Sequence, residues 1–437
     1  MANGTAREMD RQVLGSLGTP RGAYLGVLAV CAALVGAGAV AYAFQYFLGM
    51  GVAGLNVPVG WGVYITNFVF WVGIAHSGTL ISAILFLFRA RWRNAINRSA
   101  EAMTVIAVMT AGMFPLIHLG RVWLFYWLLP YPNYRHLWPN FKSPLVWDVV
   151  AVTTYFTVSL LFFYLGMIPD LATARDNSTG RRKALYSALA LGWTGRYDQW
   201  RHYARGYLAL AALATPLVIS VHSVVSWDFA MSILPGWHTT IFAPYFVAGA
   251  IHSGLAMVIT LLVPLRVVLG LQRIITIRHF EAMAQLMILT GLIVGYSYAV
   301  EAFMAWYSGD VFERQFTVWR AVGAYAPFFW AMVVCNVAVP MALFFKKVRT
   351  NLAALVVIAI LVNIGMWLER FVIIVTSLAH GFVPSSWGSY APRPVEILIT
   401  LMSFGFFFFL FLSFVMLFPS VAMNEMKEQA MAHEEEA

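Results

Sequence analysis

A chain of 437 residues is long enough for two or three soluble domains, but 61% apolar and only 11% charged residues exclude that reading. The net charge of +9 is no nucleic-acid footprint, because the basic residues sit in short segments between apolar runs. Cys31 and Cys335, the two cysteines, both fall inside such runs. Neither a disulfide framework nor a cysteine-held metal is supported, and no haem-attachment or iron–sulfur pattern occurs.

The runs are continuous rather than alternating and reach the roughly 20 residues a bilayer crossing needs, which predicts an all-α polytopic membrane protein and not a barrel. After a polar start with Arg7, Arg11 and Arg21, the run 22–50 is too long for a signal-peptide core. Further spans are predicted at 60–88, 102–129, 144–168, 203–226, 240–265, 281–306, 321–345, 352–378 and 394–418, making ten. The loops 89–101, 170–206, 266–280 and 346–351, with the N-terminal tail and Lys427, hold 21 of the 28 lysines and arginines, and the opposite side holds five. That asymmetry places both termini in the cytoplasm. The outer loops 130–143 and 227–239 are rich in aromatics and proline and suit an interfacial rim or a docking surface.

An internal repeat organises the chain. Glu101–Trp127 recurs as Glu281–Tyr307: Glu101-Ala-Met matches Glu281-Ala-Met, Thr110 matches Thr290, His118 falls on Tyr298, and Arg121 falls on Glu301. Gly73-Ile-Ala-His76-Ser-Gly78 is echoed by Gly249-Ala-Ile-His252-Ser-Gly254, and His222-Ser223 aligns more weakly with Glu369-Arg370. Spans 2–5 and 6–9 read as two similar four-helix bundles of the same orientation, flanked by spans 1 and 10. The chain then divides into residues 1–59, 60–228, 229–378 and 379–437.

Ionisable residues inside spans are costly and point to function. His118 and Arg121, read as one helical turn apart in the outer half of span 3, join Asp148 near the start of span 4 and His222 near the end of span 5. Trp123, Tyr126, Trp127, Trp147, Tyr155 and Asp228 are expected around them. A quinol gives up two protons with two electrons, so its hydroxyls need acceptors such as His and Asp, against apolar walls open to lipid. The alternative is structural: an Arg121–Asp148 ion pair, with His118 on a carbonyl. Tyr298, Glu301, Glu369 and Arg370 form a candidate proton route in the second bundle, or a register-fixing pair. His76 and His252 lie mid-membrane, as proton carriers or as histidines bonded between helices.

Several motifs resemble the polysulfide reductase NrfD-like membrane subunits: Gly60-Trp-Gly-Val-Tyr-Ile-Thr-Asn through His76-Ser-Gly, Arg98-Ser-Ala-Glu-Ala-Met-Thr, Phe114-Pro-Leu-Ile-His-Leu-Gly-Arg and Ser143-Pro-Leu-Val-Trp-Asp. Val221-His-Ser-Val-Val-Ser, Pro235-Gly-Trp-His-Thr-Thr and Glu301-Ala-Phe-Met-Ala-Trp-Tyr are similar to the ActC-type subunits of alternative complex III within that group. The resemblance covers about residues 50–420. It implies a quinol-oxidising subunit of a respiratory or photosynthetic oxidoreductase in a bacterial cytoplasmic membrane, with the quinone pocket at the outer end of the first bundle and His118 and Asp148 in the family's positions. The implied substrate is a quinol, menaquinol favoured, with no haem or iron–sulfur cluster in this chain. The implied partners are a periplasmic iron–sulfur subunit, multihaem cytochrome c subunits and a paralogous NrfD-like membrane subunit, with no nucleic acid. A secondary transporter or ion channel built on the duplication, and a paralogous anchor that binds no quinone, are the competing readings.

Overall fold

The computed structural model describes residues 2–18, 22–129 and 141–428. Pro130-Tyr-Pro, Arg135 and Trp138 of the expected rim lie outside the described residues, as does the acidic end of the chain.

Among the described residues, ten helices are long and apolar enough to cross a membrane: span 1, Gly22–Leu48; span 2, Val63–Leu87; span 3, Asn97–His118; span 4, Pro144–Asp176; span 5, Tyr197–Ala230; span 6, Phe242–Val268; span 7, Ile277–Tyr307; span 8, Ala326–Phe344; span 9, Leu352–Ala379; and span 10, Pro394–Leu417. At 1.5 Å per residue even the 19 residues of span 8 cover about 28 Å, close to the thickness of the hydrocarbon. No strand occurs among the described residues. Helix starts follow local chemistry. Pro144 opens span 4, where its missing N–H costs nothing. The Asn351 side chain accepts from the Ala353 and Ala354 amides to cap span 9.

Spans 2 and 6 bury 83% of their central residues against 17% for span 1, so they are the centre of the molecule. Span 2 packs on spans 3, 5, 6 and 9, and span 6 on spans 2, 5, 7 and 9, while spans 1 and 10 pair at the edge. The repeated His-Ser-Gly motif has a packing reason. A Cβ on Gly78 would collide with the Ala100 carbonyl oxygen of span 3, and one on Gly254 would collide with Ser77 of span 2. Small residues here let the central backbones approach. Wider π-type turns interrupt span 2 at Leu80–Ile84, span 8 at Val334–Ala338 and span 9 at Val372–Thr376. Such turns mark functional regions in many helices, and each of the three holds a buried polar residue, Ser82, Asn336 and Thr376 respectively.

Span 3 differs from the expected 102–129. Its helix ends at His118, Gly120 turns the chain with φ 68°, and Val122–Leu128 form a 3₁₀ run. Left-handed φ is open to glycine at no steric cost. Arg121 therefore lies beyond the helix and is exposed, rather than one turn above His118 within a span. The apolar sequence continues through the turn and hides it.

Two straps close the ends. At the end opposite the arginine-rich loops, the buried Glu396 carboxylate accepts from the amides of Gly54 (2.6 Å) and Arg393 (2.9 Å) and from the Tyr390 hydroxyl (2.7 Å). At the arginine-rich end the segment after span 10 crosses the helix ends. Ser99 donates to the Ser420 carbonyl (2.8 Å), and Lys427 pairs with Asp10 (2.7 Å).

Candidate functional site

The first group of interest sits where span 4 begins and span 5 ends, at the arginine-poor end. Trp147 and Trp227 meet edge to face at 6.1 Å, and the next residues, Asp148 and Asp228, bring their carboxyl groups into hydrogen-bonding contact. Two carboxyls bond only through a shared proton. Trp147 is held by a bond from its indole N–H to the Phe141 carbonyl, 2.7 Å. Asp148 Oδ1, Asp228 Oδ1 and, at the end of span 3, His118 Nδ1 are each buried without a hydrogen-bond partner. Orphaned buried acceptors are rare and ask for an explanation. A cavity of about 280 Å³ lies on the outer side of Trp227, lined also by Ala230, Met231 and His238, and neither aspartate is among its lining residues. Trp123 and Tyr126 are exposed at the same end, and Trp123 packs edge-on against Tyr46.

The partner that the structure gives Asp148 is thus Asp228, and Arg121 makes no ion pair with it among the described residues. His222 is also placed elsewhere. Its ring lies 4.5 Å from that of His76, and its Nε2 faces Arg370 Nη2 of span 9 at 3.5 Å. Arg370 stands over the Phe246 ring at 4.2 Å and pairs with Glu369 at 2.8 Å. Tyr298 donates to Glu369 Oε2, and Asn336 donates to the Tyr298 oxygen at 2.9 Å. The result is a buried polar chain, His76–His222–Arg370–Glu369–Tyr298–Asn336, that crosses from one repeat into the other. At its His76 end stands Tyr155, which donates to the Ala75 carbonyl at 3.0 Å and contacts Thr79 Oγ1 at 2.8 Å.

Two expected members stand outside this chain. Glu301 bonds to Arg320 of the helix Val311–Val322, at 2.7 Å. His252 Nδ1 bonds to Thr290 Oγ1 at 3.0 Å, away from His76. Tyr64, Thr66 and Asn67 are used within or between helices, with Gln45, the Gly62 carbonyl, and Thr400 and Trp367 respectively.

A second buried charge group was missed in the sequence. Arg98 binds Glu101 at 2.6 Å and Asp170 at 3.0 Å, all three almost without solvent. Tyr207 donates to Glu101 at 3.2 Å, and the Asn424 side chain donates to Asp170 at 2.8 Å. Arg93 and Asn97 hold Glu425. The i,i+3 spacing of Arg98 and Glu101 was the available signal. A small void lined by Glu101, Thr104, Ser159 and Thr79 separates this group from Tyr155. No group of three or more His, Cys, Asp or Glu side chains is arranged to hold a metal ion among the described residues.

Comparison with known proteins gives this architecture a family. The family model described as "Polysulphide reductase, NrfD" matches residues 51–381. The chain belongs to the NrfD family. Among its relatives is a putative dimethyl sulfoxide reductase membrane subunit of Halobacterium salinarum, 30% identical over 252 residues, 57% of this chain and 53% of that one. A selenate reductase subunit of Mesobacillus selenatarsenatis is 22% identical over 220 residues, covering 49% and 50%. This NrfD chain thus matches about half the length of each of those two. The Hdr-like menaquinol oxidoreductase integral membrane subunit of Archaeoglobus fulgidus is 20% identical over 359 residues, 80% of this chain and 79% of that one. The chain is thus a multi-pass membrane protein of the NrfD family, and relatives are named as membrane subunits of a dimethyl sulfoxide reductase and of a menaquinol oxidoreductase.

Proposed function

We propose that this chain oxidises quinol at the Asp148–Asp228 pair and passes the electrons to partner subunits. The observation that carries the reading is a buried carboxyl pair with unpartnered oxygens, next in the chain to two tryptophans that meet at one end of spans 4 and 5. A quinol hydroxyl is a donor in search of such an acceptor. Losing two electrons and two protons, it becomes the quinone. One proton passes to the ionised member of the pair and the other to His118, whose Nδ1 is also free to accept. Trp147 and Trp227 supply flat apolar walls. The family, and a relative named as a menaquinol oxidoreductase subunit, favour menaquinol.

The electrons leave as single equivalents to an acceptor outside this chain. The resemblance to alternative complex III suggests a periplasmic iron–sulfur subunit and multihaem cytochromes c, beside a paralogous membrane subunit. The excess of lysine and arginine makes their end cytoplasmic and puts the aspartate pair at the periplasmic face of a bacterial inner membrane. The chain from His76 to Asn336 and the Glu101 group are then the proton-conducting elements.

Replacing Asp148 with Asn keeps the shape and removes the group that takes up a proton. Quinol-dependent reduction of the partner should fall by about 10²–10³-fold, with assembly and subunit yield unchanged. Wild-type turnover in an assembled Asp148→Asn complex would refute the proposal.

A further inference from the structure

A cavity of about 380 Å³ opens at the arginine-rich end, between the turn after span 2 and the start of span 5. Arg89, Arg91 and Arg93 line one wall, Tyr203, Ala204 and Tyr207 another, and Glu425 and Glu428 the third. Arg93 is committed to Glu425 at 2.6 Å. Arg89 is exposed and in no ion pair among the described residues, and Glu428 is a further acidic side chain in the lining.

The backbone at Arg89 is unusual. Span 2 ends in a Schellman turn: the Ala90 amide donates to the Leu85 carbonyl and the Arg89 amide to the Phe86 carbonyl, both at 2.9 Å. Arg89 holds the left-handed position, φ 55°, where glycine is the usual residue because a Cβ is unfavourable. Span 6, the equivalent helix of the other repeat, ends in the same pattern. There the Leu271 amide donates to the Arg266 carbonyl at 2.8 Å, and Gly270 takes φ 70°. The same turn thus carries glycine in one repeat and a strained arginine in the other, where the cavity is. Strain kept at one site points to a use for the side chain.

The rim identifies the ligand class. Phe88 is 80% exposed and Leu208 of span 5 is 52% exposed, so a lipid-facing apolar surface runs up to the arginines. Arg201 lies one turn before Ala204 on span 5 and adds charge on the same side. Guanidinium groups match phosphate oxygens in geometry and charge, and basic pockets beside membrane helices suit lipid headgroups. We propose that this cavity binds the phosphate ester of an anionic phospholipid, with Arg89 on the phosphate and the acyl chains along Phe86, Phe88 and Leu208.

The test uses the purified full chain with its partner subunits, delipidated and reconstituted in nanodiscs of phosphatidylcholine with a minor share of phosphatidylglycerol. Retained lipid is then counted by mass spectrometry. Wild type should retain phosphatidylglycerol at least fivefold over its share of the disc, and 10-fold more inorganic phosphate than lipid should not displace it. Arg89→Gly, which relieves the backbone, should melt no lower than wild type yet lose the enrichment. Enrichment unchanged in Arg89→Gly, or displacement by inorganic phosphate alone, would overturn the lipid assignment. Quinol oxidation by Asp148 is a separate readout, so failure of one claim does not decide the other.

Discussion

The two halves of the chain differ in how their buried carboxyl groups are paired. In the second, Glu281 sits at the rim with Arg349 at 3.0 Å and partial exposure, and Glu301 closes on Arg320 at 2.7 Å. In the first, the counterpart of Glu281 is Glu101, sealed with Arg98 and Asp170, while Asp148, Asp228 and His118 keep buried atoms without partners. The unpartnered carboxyl pair lies at the far end of one half, and in the other half Glu281, Glu301 and Glu369 are each closed onto an arginine. The two halves meet at His222 and Arg370, and the weak repeat sets His222 opposite Glu369, the residue before Arg370.

This contrast can be broken at several points. The largest effect is expected at Arg98. Arg98→Leu strands two buried carboxylates and should cost about 3–5 kcal/mol, seen as lost yield or a much lower melting temperature. Arg349→Leu, at the half-exposed counterpart, should cost no more than about 1 kcal/mol. Equal losses would mean that the two repeats are not differentiated as described. A smaller effect is expected at Tyr298, whose hydroxyl serves Glu369 and Asn336. Tyr298→Phe should lower stability by about 1–3 kcal/mol while leaving quinol binding intact; weakened binding instead would tie this chain directly to the pocket.

The smallest is a pH effect at Glu313, on the helix Val311–Val322 outside the spans. Burial raises its pKa above the ordinary carboxylate range, and the hydrogen bond from the Gly236 amide offsets this only in part. A raised folded pKa favours the protonated form. Its contribution to stability is therefore full below the unfolded pKa and declines as pH rises through the folded one. Glu313→Gln should flatten the melting temperature across that window, and an unchanged slope would assign it to other groups.

The ten spans were legible because continuous apolar runs have one solution in a bilayer, with every backbone group bonded inside a helix. The end of span 3 was not, since Val122-Trp-Leu-Phe-Tyr-Trp127 remains apolar after the Gly120 turn. Asp148 was legible as a polar residue where a helix starts. Its partner was expected to be Arg121, next in chain order, and is Asp228 across the span 4–span 5 contact. His222 was assigned by depth to the first repeat alone, and only the packing of spans 5, 6 and 9 reveals Arg370 as its neighbour. The Arg98 group depends on Asn424 and Glu425, more than 300 residues from Arg93, a distance no local pattern encodes.

The most direct test of the central claim is to photolabel the assembled complex with an azidoquinone and sequence the modified peptides. The account predicts label on the segments bearing Trp147–Asp148 and Trp227–Asp228, removed by excess quinol. Competable label confined to other helices, with those segments unmodified, would contradict it.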